Sequence, residues 1–95
     1  MSRIAKIKST ITSEQVVALC YQWLPRGKQR GDWYLCLSPF RNERTASFGV
    51  SLRGPNYWWT DFGGSESGDL IDLCCRLHGV SKKEAIEAFE QMLWG

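Results

Sequence analysis

No two cysteines in this 95-residue chain stand at C-x-x-C spacing, although four are present (Cys20, Cys36, Cys74 and Cys75), and there is one histidine, His78. A structural zinc site takes four ligands, mostly thiolate or imidazole, at short recognisable spacings. No such set can be read here. Adjacent Cys74 and Cys75 fall inside a helical pattern and point to different sides of it, which suits packing better than chelation. A signal peptide is also missing, as is any apolar run long enough to span a membrane. The expectation is a cytoplasmic chain with reduced thiols and no membrane partner. His78 has no nucleophile and acid at a recognisable spacing, and the acids fall on helix surfaces or at caps. Gly63-Gly64-Ser65 is not followed by the Lys-Ser/Thr of a phosphate-binding loop. The chain reads as no enzyme, with no cofactor.

What is present is aromatic. Five Trp, four Phe and three Tyr are many for this length, and large rings bury the most apolar area per residue. Ninety-five residues make one domain, expected over 1–95, with a modest core in which a few kilocalories matter. The net charge of +2 hides an asymmetry: residues 1–60 balance at +6 and residues 61–95 at −4. A basic half beside an acidic half suits a polyanion on one side, although an ordinary mixed surface would give the same counts.

Residues 1–10 are polar and basic, and are expected to be a mobile arm or short edge strand with Ile4 and Ile7 as anchors. Thr12–Leu24 reads as a helix. Thr12 and Gln15 form a capping box, and Val16, Leu19, Cys20, Trp23 and Leu24 recur on one face until Pro25. Arg26–Gly31 reads as a basic, glycine-flanked loop, suited either to phosphate contact or to plain solvation. Short aromatic runs alternating with turn clusters predict antiparallel strands near 32–38, 47–52 and 57–61. Trp58 and Trp59 cannot both face inward on a strand, so one is expected in the core and the other on the sheet surface. Asp69 opens a helix that Gly79 stops. Ser81 and Glu84 form the capping box of a last helix with Ala85, Ile86, Phe89, Met92 and Leu93 inward.

The stretch between Ser38 and Asp69 carries a family resemblance. It contains Ser38-Pro39-Phe40-Arg41, then Asn42-Glu43-Arg44-Thr45-Ala46-Ser47-Phe48, then Asp61-Phe62-Gly63-Gly64 and Gly68-Asp69. This resembles the CHC-type zinc-binding domain of bacterial DNA primases and phage primase-helicases. That family typically has Cys-Pro-Phe-His, Asn-Glu-Lys-Thr-Pro-Ser-Phe, Cys-Phe-Gly-Cys and Gly-Asp. The framework matches over about forty positions, yet every metal position is replaced, by Ser38, Arg41, Asp61 and Gly64. Cys36 faces the same side as Ser38 and is the one thiol near that site, and one ligand does not make a zinc site. The paired replacements suggest an Arg41–Asp61 ion pair where the metal tied two loops.

The resemblance implies an α+β fold: a small zinc-ribbon-like antiparallel sheet, one N-terminal helix and two C-terminal helices, without metal. It also implies a free-standing, non-catalytic accessory module from a phage or mobile element. Such a module would engage single-stranded DNA with little sequence preference, beside a separate primase, polymerase or helicase polypeptide. The residues expected to meet DNA are Lys28, Arg30, Arg41, Arg44, Arg53 and Trp58 or Trp59, since bases stack on rings while cations follow the backbone. A docking subunit that never touches DNA, and an inhibitor mimicking the primase domain, remain as alternatives.

Overall fold

The structure is a computed structural model that describes residues 2–40 and 47–95. Helices α1 (Arg3–Thr10) and α2 (Ser13–Trp23) precede five strands, β1 (Lys28–Arg30), β2 (Trp33–Cys36), β3 (Phe48–Ser51), β4 (Trp59–Asp61) and β5 (Ser67–Gly68). Helices α3 (Leu70–His78) and α4 (Lys82–Trp94) follow. The strands form an antiparallel meander in the order β1-β2-β3-β4-β5.

Both capping boxes form as their sequences require. The Thr12 hydroxyl accepts from the Gln15 amide at 3.2 Å while the Gln15 side chain accepts from the Thr12 amide at 2.9 Å. Ser81 and Glu84 repeat the exchange at 3.1 Å in each direction. Asp69 is the N-cap of α3, its carboxylate accepting from the Asp72 amide at 2.9 Å. Gly79 ends that helix with φ of 63°, a left-handed conformation that favours glycine. The Gly68-Asp69 pair has a steric reason as well. A Cβ at Gly68 would stand 2.8 Å from Asp72 Oδ2 and 2.9 Å from Trp59 Nε1, so only glycine lets α3 close onto β4.

Residues 2–10 are neither a mobile arm nor an edge strand; they form helix α1 and its cap. Ser2 caps α1 by accepting from the Ala5 amide at 3.1 Å. Ile4, Ile7 and Ile11 share one face, with Ile7 wholly buried and Ile11 4% exposed. Helical spacing of three isoleucines therefore prevails over the polar composition between them. Lys8 fastens the helix by donating to Asn56 Oδ1 at 2.8 Å and Asp69 Oδ2 at 2.7 Å. Arg3 donates to Glu90, and Lys6 lies 5.0 Å from the Trp94 ring centroid, so α1 also grips α4.

The loop expected over 26–31 is also corrected. Its centre, Lys28–Arg30, is an edge strand paired with Leu35–Trp33, and Gly31 and Asp32 make the turn, Gly31 at φ of 58°. Polar side chains hid this strand, because an edge can be held by its neighbour's hydrogen bonds alone. Strand β5 is a second addition, only two residues long.

Register divides the sheet into two faces. Tyr34, Cys36, Phe48, Val50 and Trp59 point inward onto the helices and join Leu70, Leu73, Ala85 and Phe89 in the core. Met92, expected inward, is 43% exposed. The Tyr34 hydroxyl donates to the Leu24 carbonyl and accepts from the Gly27 amide at 3.1 Å, closing the α2–β1 connection over the ring.

Ile7→Ala tests the docking of α1. A buried isoleucine truncated in a packed core costs about 2–5 kcal/mol. Urea unfolding is expected to show that loss, whereas an undocked arm would leave the midpoint unchanged.

Candidate nucleic-acid interface

The ends of β2 and β4 meet at the positions that carry metal ligands in the family motif. Ser38 and Asp61 are both buried, at 5% and 4% exposure. The Ser38 hydroxyl donates to Asp61 Oδ2 at 3.0 Å and accepts from the Phe40 amide at 3.2 Å. The Gly64 amide donates to the Asp61 carbonyl at 3.1 Å, and a Cβ at Gly64 would lie 3.5 Å from the Asp61 carboxylate. Three of the four positions thus converge. The fourth, Arg41, and with it the proposed Arg41–Asp61 pair, lies outside the described residues, as does Arg44.

This donor set does not fit zinc. It offers one hydroxyl, one carboxylate already hydrogen-bonded, and a glycine with no side chain, against the four-ligand, sulfur- and nitrogen-rich shell of a structural site. Among the described residues, no group of three or more His, Cys, Asp or Glu side chains is placed to hold a metal ion. The nearby thiols are poorly suited too. Burial pushes Cys20 up to about 12 and Cys36 up to about 11, and a thiol must ionise to ligate.

Aromatic packing occupies the same corner. Phe48 stacks on Trp59 with centroids 5.6 Å apart, and Phe40 meets both rings edge-on at 5.7 Å. The Arg76 guanidinium, from α3, sits 4.3 Å from the Phe40 centroid and 5.5 Å from that of Trp59. It is ion-paired with Glu66 and within electrostatic reach of Asp61. One fixed cation therefore touches the loop after β2, the β4–β5 turn and α3.

The outward sheet face is different in kind. Lys28 and Arg30 on β1 lie opposite Leu35 and Trp33, and all four point away from the core. Trp58, on the opposite side of the strand from buried Trp59, is 52% exposed and accepts the Ser51 amide through its carbonyl at 2.7 Å. Trp59 is 1% exposed, so it belongs to the core and cannot stack on a base. Arg53 is exposed but held by Asp32, with Nη2 to Oδ2 at 2.6 Å, which offsets part of its charge. Trp33 and Phe62 were missed on the sequence. They lie on this face with centroids 6.0 Å apart, and Phe62 is 57% exposed. The alternation of Trp33 and Leu35 with buried Tyr34 and Cys36 was the signal for the first. Phe62 was masked by its place in the Asp-Phe-Gly-Gly motif.

The class this fold and corner define is a zinc-ribbon-like α+β domain whose ligand positions are replaced. The profile of the CHC2 zinc finger, the DnaG-type zinc ribbon, matches residues 2–93. The chain belongs to that family. A comparison with curated proteins finds no match. Among solved structures, the chain is similar to the Aquifex aeolicus primase, described as its zinc binding and RNA polymerase domains. The TM-score is 0.78 at 24% identity, over 98% of this chain and 22% of that one. That likeness shows the fold, and the chain spans about a fifth of the primase it matches. None of the described helices is long and apolar enough to cross a membrane.

Arg76→Met keeps most of the side chain's length but removes the charge over the rings. At an exposed position such as this a cation–π contact is worth about 0.5–1 kcal/mol, and chemical denaturation is expected to show a loss of that size. Glu66→Gln, which removes a half-exposed partner, is expected to cost less than about 1 kcal/mol.

Proposed function

We propose that this domain is a non-catalytic, DNA-engaging module of a primase or polymerase system. It holds single-stranded template with little sequence preference, while polymerisation proceeds at a centre outside these 95 residues. The observation that carries this reading is the outward sheet face, where exposed Trp58 and Phe62 and half-buried Trp33 stand beside Lys28 and Arg30 of β1, which have no ion-pair partner among the described residues. Rings that accept any base, with cations that follow the backbone, are the components of sequence-tolerant single-strand binding. Family membership supports the same direction, since a primase zinc-binding domain works with DNA and a polymerase or helicase partner. A phage or mobile-element source and a cytoplasmic setting fit this role. Lys28 and Arg30 supply phosphate contacts, and Arg53 contributes less because Asp32 holds it.

A docking role without DNA contact draws on a different feature. An apolar groove of about 260 Å³ between α2 and α4 is lined by Leu19, Trp23, Ala88, Phe89 and Met92. The two roles use separate faces, so a partner polypeptide and a DNA strand can be held together.

Fluorescence anisotropy of a labelled single-stranded oligonucleotide, across a range of salt concentrations, decides the main reading. Binding is expected to weaken steeply with salt, because phosphate contacts release counterions. Lys28→Ala/Arg30→Ala is expected to weaken it and reduce the log–log slope by about 1.4, two phosphates at about 0.7 each. No binding at low salt would leave the docking role.

A further inference from the structure

We propose that Trp33 and Phe62, closed over Gly49, form a nucleobase-stacking station, and that Gly49 acts as its floor. This rests on the single-strand reading above and assigns it residues that neither charge nor motif pointed to. Gly49 lies in β3, the middle strand of the sheet, between buried Phe48 and Val50. Glycine weakens a strand interior and often marks a close approach by another group. The group here is aromatic. A Cβ at Gly49 would stand 3.0 Å from Phe62 Cε2 and 3.1 Å from both Trp33 Cε3 and Leu35 Cδ2.

Cross-strand register explains how the rings meet. Trp33 pairs with Ser51, and Gly49 pairs with Leu35 and Thr60. Phe62 lies one outward position beyond Thr60, its amide donating to the Ser47 carbonyl at 2.6 Å. Trp33 and Phe62 thus reach in diagonally from the rows on either side; the rings are tilted at 57° rather than stacked, Phe62 is 57% exposed and Trp33 is half-buried. A β-branched residue at position 49 would suit the strand better and would fill this floor. The chain instead keeps a bare backbone beneath one exposed ring and one half-buried ring.

The station has a direction. Lys28 and Arg30 flank Trp33 on one side, and Trp58 lies on the other beyond β3, two strand spacings or about 10 Å from Trp33. A single strand lying across the β-strands meets cations first, then the Trp33–Phe62 pair, then Trp58. Among the described residues, no acid occupies an outward position of the five strands.

Gly49→Val, Phe62→Ala and Trp33→Ala test the assignment, with labelled oligothymidine affinity, its salt slope and the melting temperature read on each. Gly49→Val, whose side chain must displace the two rings, is expected to weaken affinity at least threefold under conditions where circular dichroism shows the variant folded. Phe62→Ala and Trp33→Ala are expected to weaken binding about tenfold each, as loss of a stacking ring does. Their salt slope stays at the wild-type value, unlike that of a phosphate-contact variant. Phe62 is mostly exposed, so its variant stays folded and informative even where Gly49→Val does not. Wild-type affinity in the folded Phe62→Ala and Gly49→Val proteins would overturn the station and leave the phosphate contacts standing. Absence of binding by the wild-type protein would remove the functional reading itself.

Discussion

Phe48 stacks on Trp59, Phe40 closes on the edges of both, and Arg76 lies over the result. Much of the structure depends on that corner. It joins the exit of β2 to the β4–β5 turn and the last turn of α3. In a zinc ribbon a metal ion does this tying, with a binding free energy of roughly 10–16 kcal/mol in small domains. No single contact here approaches that. The Ser38–Asp61 hydrogen bond contributes about 1 kcal/mol, and the cation over the rings about as much again. The remainder must come from area: three rings packed against one another, and a helix, α1, that adds Ile7 and Ile11 to the core. The contacts that hold this corner are therefore distributed over several segments.

The same economy shapes the sheet. Its inward face is filled by the core, so its outward face is free to carry rings that packing does not require. Trp58 and Trp59 illustrate the division, since adjacent residues of one type have opposite fates because successive side chains alternate. The helices lie behind the inward face, away from the cations of β1. On the ring-bearing side the strands present Lys28 and Arg30 outward, and among the described residues no acid does so, which leaves that face attractive to a polyanion.

Much of this was legible in the residues. Thr12 with Gln15, Ser81 with Glu84, and Gly79 each mark a helix end by local chemistry, and local chemistry survives folding. The framework Pro39-Phe40, Phe48, Gly68-Asp69 pointed to the family because each residue has a steric or capping task at a fixed place. What stayed hidden depends on partners. Lys28–Arg30 has no apolar periodicity, and is a strand only because β2 offers it hydrogen bonds. Ser67–Gly68 is too short to signal anything. In α1 the isoleucine spacing was present, but its basic composition suggested solvation, and only the cradle of Asn56 and Asp69 around Lys8 shows why the helix docks. The Trp33–Phe62 contact joins residues 29 positions apart through two intervening registers, which no local pattern encodes.

Thermal unfolding of the purified domain with and without a strong zinc chelator, with metal content measured on the same sample, addresses the corner itself. Aromatic packing under Arg76 predicts superimposable melting curves and no stoichiometric metal. A melting temperature that falls by many degrees on chelation and returns with zinc would show that a metal still ties the two loops, and would contradict the account.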